Sequence, residues 1–172
     1  MKSELRSFVM KVTLFICCVV FVLAELSWAQ IGESPVQCFR RYGGKVTQQS
    51  FVGDAKQVVL QSDDWRVSCL FVKNGAEFFV FRKAGSLSEA EVQSLLQRHG
   101  TDLSEALGTR CHQRVGNRML EAVRWTLPDR IAIFNPLRNS VTLCREAFAE
   151  ALAAGGYEAA DGVRDFTEIS RQ

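Results

Sequence analysis

The run Phe78-Phe79-Val80-Phe81 is apolar at every position, and so is Leu70-Phe71-Val72 a few residues before it. Successive side chains of a strand point to opposite faces. A strand built from either run has no face suited to water and needs cover on both sides. Asn74-Gly75 lies between the runs, and both residues accept the positive φ of a two-residue hairpin. The expectation is an antiparallel pair, Trp65 to Val72 and Glu77 to Arg82, inside a sheet. Helices would cover one face. The C-terminal segment, a second copy of the chain or a partner protein would cover the other.

The rest of the chain is read around that pair. Ser34-Pro35-Val36-Gln37 has the signature of a helix start, with a capping Ser, Pro at the first position and Gln three residues on. Cys38, Phe39 and Tyr42 share one face of that helix, and Gly43-Gly44 ends it. Strands are expected at Lys45 to Phe51 and Gln57 to Gln61, with a turn at Ser62-Asp63-Asp64. Ser86-Leu87-Ser88-Glu89 reads as a second capping box, opening a helix that closes at Gly100. Residues 101–107 add a further turn or two of helix, and Gly108 to Asn117 reads as irregular. Three strands follow, Met119 to Thr126, Arg130 to Phe134 and Val141 to Leu143, and then a helix from Arg145 to Ala154. The remainder is polar; Phe166 and Ile169 could dock, and the last few residues are expected to be mobile. Short strands joined by tight turns point to an α+β domain, an antiparallel meander with its helices mainly on one face. No residue-level repeat divides it into two units.

The first 29 residues read as a cleavable export signal. Lys2, Arg6 and Lys11 precede the apolar run Val12 to Ala24, and Ser27-Trp28-Ala29 supplies small residues ahead of a cut at Gln30. The run is shorter than the roughly 20 residues a membrane span needs. Residues 30–172 are then one domain, periplasmic or secreted. Its formal net charge falls from +2 to +1, because Lys2, Arg6 and Lys11 leave together with Glu4 and Glu25. Such balance provides no field for nucleic acid or anionic lipid. Cys17 and Cys18 also leave, so Cys38, Cys69, Cys111 and Cys144 remain as disulfide candidates with three possible connectivities. Cys111 reads as half of a disulfide, with Cys144 as one candidate partner.

No pattern in the chain specifies catalysis. Cys111-His112 is a Cys-His adjacency, but neighbours in a strand or helix point apart and make no dyad. His99 ends a helix, where a cation suits the dipole. No C-x-x-C, P-loop, G-x-S-x-G or H-E-x-x-H is present, so no metal or cofactor is expected. Asp63-Asp64 reads as turn chemistry. Arg110, Arg114, Arg118, Arg124 and Arg130 form a basic stretch. Were 110–118 helical, Arg110, Arg114 and Arg118 would share a face able to hold an anion or an acidic partner.

The segment Pro35-Val36-Gln37-Cys38-Phe39-Arg40-Arg41-Tyr42-Gly43 resembles the opening of a group of uncharacterised exported bacterial proteins. Those begin with a short Cys-bearing helix ending in Arg-Tyr-Gly and continue with an antiparallel meander, a helix and a later strand pair starting at a Trp. Trp65 to Arg82, Ser86 to Arg98 and Trp125 to Asn135 match these pieces, with Gly44 where such proteins often carry Pro. The resemblance implies the α+β fold and no particular activity. A remoter, fold-level likeness is to helix-plus-meander envelope modules such as the outer-membrane assembly lipoproteins and the β-lactamase-inhibitor fold, which are binding modules. The expected function is a non-enzymatic exported module that binds another protein or itself through its outer sheet face. The alternatives are a small thiol- or histidine-dependent hydrolase and an anion-binding protein using the arginine stretch.

Overall fold

The computed structural model describes residues 31–100, 108–115 and 118–171. The export signal and the helical turns expected at 101–107 lie outside them. The chain runs α1 (Pro35–Tyr42), β1 (Lys45–Val52), β2 (Ala55–Ser62), β3 (Trp65–Val72), β4 (Gly75–Lys83), α2 (Glu89–Arg98), β5 (Thr109–Val115), β6 (Arg118–Thr126), β7 (Arg130–Asn135), β8 (Ser140–Arg145), α3 (Glu146–Ala154) and α4 (Val163–Ser170). The strands form one antiparallel sheet in the order β1-β2-β3-β4-β8-β7-β6-β5. The fold is the expected α+β domain with an antiparallel meander. It is two meanders, each preceded by a helix and joined through their last strands.

Local chemistry sets the element ends. At α1 the Ser34 Oγ accepts from the Gln37 N–H at 3.4 Å, and Gln37 Oε1 accepts from the Ser34 N–H at 2.8 Å. Gly44, at φ +79°, ends the turn out of α1; a Cβ there would lie 2.4 Å from the Gln61 carbonyl oxygen. The second capping box falls two residues beyond the expected one, on Ser88 and Glu91. That shift lets Leu87, just before the cap, and Val92, on the first turn, enter the same core as a hydrophobic staple. The β3–β4 turn is likewise offset by one residue. Lys73 and Asn74 take the positive φ values of 50° and 69°, and Gly75 is already paired with Val72.

The two faces of β4 separate by register. Phe79 and Phe81 sit with Leu143 and Val141 of β8 in one core cluster, under α1 and α2, with Val58, Leu60, Val67 and Cys69. Phe78 and Val80 belong to the other, with Leu70, Ile131, Ile133 and Cys144, under Phe148 and Leu152 of α3 and Val163, Phe166 and Ile169 of α4. Two helices cover each face, which corrects the expected placement mainly on one. The four residues Phe78 to Phe81 are at most 1 % exposed, so the chain itself covers the face expected to await a partner.

Two segments differ from expectation for an identifiable reason. β5 is a strand where irregular chain was expected. Its inward positions are Cys111 and Gln113, so its apolar period is faint. Gln113 is buried because it accepts from Asn135 Nδ2 at 2.7 Å and donates to Asp165 at 2.9 Å. The C-terminal segment is a docked helix rather than a mobile end. Phe166 meets the Phe78 ring edge-on at 5.5 Å, and Arg124 of β6 donates to the Ser170 carbonyl at 2.9 Å. Replacement of Phe166 by Ala is expected to remove about 3–5 kcal/mol of unfolding free energy, measured by urea denaturation; a loss under 1 kcal/mol would mean that α4 is not part of the cooperative core.

Candidate functional site

On the α1/α2 face the two helices meet through Tyr42 and His99 and leave a gap beside that contact. The gap leaves a half-open groove of about 670 Å³. Leu60 of β2, Val67 of β3 and Phe81 of β4 form its floor. Tyr42, at the end of α1, and Trp65, at the start of β3, form one wall; Leu95, Ser94 and the end of α2 form the other. The gap follows from the sequence. α1 is only eight residues long because Gly43-Gly44 stops it, and α2 starts on the far side after the Lys83–Ser88 connection.

The charged rim is mostly committed. Arg41 pairs with Glu33. Lys83 pairs with Glu91, whose carboxyl is pulled down to about 2 by Lys83 and by the Ser88 backbone and hydroxyl that it caps. Arg98 is exposed and has no ion-pair partner among the described residues.

The base of the groove is aromatic and buried. His99 is 2 % exposed. Tyr42 stacks on its ring at 5.9 Å, and Phe81 and Phe79 present edges at 4.7 and 5.8 Å. The Tyr42 hydroxyl and His99 Nε2 share a hydrogen bond of 3.2 Å, and Arg130 donates to the His99 carbonyl. Burial, followed by the nearby Cys69, Cys38 and Glu33, pushes the Tyr42 phenol far up. Burial and then the hydrogen bond with Cys38 push the Cys69 thiol up. A nucleophilic thiol needs the opposite shift, so Cys69 is a packed core group rather than a nucleophile.

The other sequence candidates are dispersed. Cys111 is buried and its thiol faces the Thr109 carbonyl at 3.7 Å, while His112 is exposed on the other side of the strand. Cys144 shares a core cluster with Cys111, but β6 and β7 stand between their strands. Three inter-strand steps are about 14 Å, beyond the roughly 7 Å reach of a disulfide between Cα atoms. Cys38 and Cys69 are brought together. All four thiols are buried and unbonded. Thr109–Val115 and Arg118–Thr126 are strands, so the helical face that would have aligned Arg110, Arg114 and Arg118 does not form. Arg110 pairs with Glu121 at 2.9 Å, and Arg130 with Asp129 at 2.7 Å. Among the described residues no group of three or more potential ligands is placed to hold a metal ion, and no helix is long and apolar enough to cross a membrane. Sequence reading had not singled out Trp65, Leu95 or Arg98, because only the spacing of the helices assembles them.

No protein-family model matches the chain, and no curated protein matches it. Among solved structures it is similar to a cysteine-rich secretory protein from Staphylococcus aureus, at 10 % identity and a TM-score of 0.42, over 72 % of this chain. The chain spans 46 % of the length of that protein.

The Glu91 carboxylate has a measurable signature. Its folded value lies below the ordinary carboxyl value of about 4.3. Its contribution is present above that value and is lost as pH falls from there through about 2. Comparison of wild-type and Glu91→Gln stability across that window should show a flatter slope in the variant; parallel curves would remove Glu91 as the strap between α2 and β4.

Proposed function

We propose that the protein is an exported, non-catalytic binding module and that the α1/α2 groove receives a short apolar segment of a partner protein carrying an acidic residue. The observation that carries this reading is the apolar groove with Arg98, which has no ion-pair partner among the described residues, at its rim. Its volume falls within the range of about 300–1,000 Å³ typical of ligand sites. An incoming Leu or Phe side chain would pack on Leu60, Val67, Phe81 and Trp65, and a carboxylate would meet Arg98. The hydrolase alternative has less support, since the Tyr42 phenol and the Cys69 thiol are buried and pushed up, and Tyr42 is already hydrogen-bonded to His99. Selection from a random displayed peptide library should enrich sequences that pair Leu or Phe with Asp or Glu. Arg98→Glu and Leu95→Arg should each weaken the selected peptides at least tenfold by calorimetry. No enrichment, or binding indifferent to both substitutions, rejects the groove.

Export follows from the Lys2-to-Ala29 pattern and would place the protein where thiols oxidise. Cys38 on α1 and Cys69 on β3 are the pair whose thiols meet, and thiol–disulfide exchange with an oxidised dithiol carrier would join them, reducing the carrier. The expected product is one Cys38–Cys69 bond with Cys111 and Cys144 left as thiols. Intact mass of the exported protein after alkylation in denaturant should show two alkylated cysteines, and non-reduced peptide mapping should link the segments holding 38 and 69. Four alkylated cysteines, or any other linkage, overturns the assignment.

A further inference from the structure

We infer that β1 is a self-pairing edge and that two copies of the chain join there into one continuous sheet. Because the two meanders meet through β4 and β8, their first strands, β1 and β5, are left as the free edges. A free edge presents unpaired N–H and C=O groups, and natural proteins blunt such edges with charge or proline. From Val46 to Val52, β1 has neither. Its pattern is exposed almost throughout. Two of the large exposed apolar side chains lie on it, Phe51 at 78 % and Val46 at 37 %.

The register shows why a second copy fits. Phe51 pairs with Lys56 of β2, Gln49 with Val58 and Val46 with Leu60, so Phe51, Gln49 and Val46 share the α1/α2 face. A bulge between Val46 and Gln48 makes Thr47 the extra residue that permits this. An antiparallel pair of β1 strands centred on Gln49 sets Ser50 against Gln48 of the second copy. Past the extra residue, Phe51 falls against Val46 of the second copy, and this occurs twice by symmetry. Directly opposed side chains on one face are the pairs that stabilise a sheet. Lys45, the one charge on the strand, falls against Val52, so no like charges meet. β5 lacks this property. It carries Arg110, His112 and Arg114 at every second position, and pairing about His112 would oppose arginine to arginine. A two-fold axis through Gln49 also closes the assembly, leaving β5 as the terminal edge on each side.

The test is sedimentation analysis of the purified protein from micromolar to millimolar concentration, with wild type expected to pass from monomer to dimer. Gln49 is exposed, so Gln49→Lys and Gln49→Glu leave the fold intact, which circular dichroism checks. Each variant alone sets like charges at the axis and should stay monomeric, while an equal mixture of the two should dimerise. His112→Glu on the β5 edge should leave wild-type dimerisation unchanged. A monomer throughout the range overturns the inference. So does a dimer that Gln49→Lys leaves intact, or a mixture that remains monomeric.

Discussion

Double-sided burial of the central strands governs this molecule. Phe79 and Phe81 face one layer of helices and Phe78 and Val80 the other, and none is more than 1 % exposed. Each such side chain is worth roughly 1.5–3 kcal/mol when fully withdrawn from water. That gain is realised only if both layers are present. A two-layer α+β arrangement would leave Phe78, Val80 and Leu70 in solvent. The C-terminal residues therefore form α3 and α4, and Phe166 lies on the Phe78 ring. Gln113, buried beneath α4, is tolerated because it finds partners in Asn135 and Asp165.

The α1/α2 face is built differently, and the groove is a consequence. On the opposite face α3 and α4 pack together over the centre. On this face α1 and α2 each lead into one meander, and a two-fold rotation normal to the sheet, through the β4–β8 pair, relates their positions in chain order. Tyr42, at the end of α1, and His99, at the end of α2, stack at the base of the space between them. That base is held by aromatic stacking and one hydrogen bond. Burial pushes the Cys69 thiol and the Tyr42 phenol toward their neutral forms, so packing rather than reactivity explains the cluster.

The fold class was legible because the apolar runs and turn residues agree at several levels. Capping chemistry placed α1 to the residue, and the hairpin was found although its turn lies one residue earlier, on Lys73-Asn74. Elements that rely on tertiary partners were less legible. β5 buries a cysteine and a glutamine, and a glutamine reads as buried only once Asn135 and Asp165 stand beside it. α4 has no side-chain cap and starts from Gly162 in the left-handed region, so no local signal announces it. The candidate groove was illegible for a related reason. Its residues come from α1, β2, β3, β4 and α2 and have no common spacing in the chain.

Joining two meanders through their last strands has one further consequence. Both first strands are displaced to the rim of the sheet, and each must remain compatible with water on its outer side. The two strands meet that requirement differently. β5 carries arginine at positions 110 and 114, which also repel a copy of themselves. β1 uses uncharged Thr, Gln and Ser, which solvate an edge without repelling one. Phe51, 78 % exposed on that edge, then has no role in the monomer's core. Among the described residues nothing buries Phe51, and the inferred pairing with a second copy sets it against Val46.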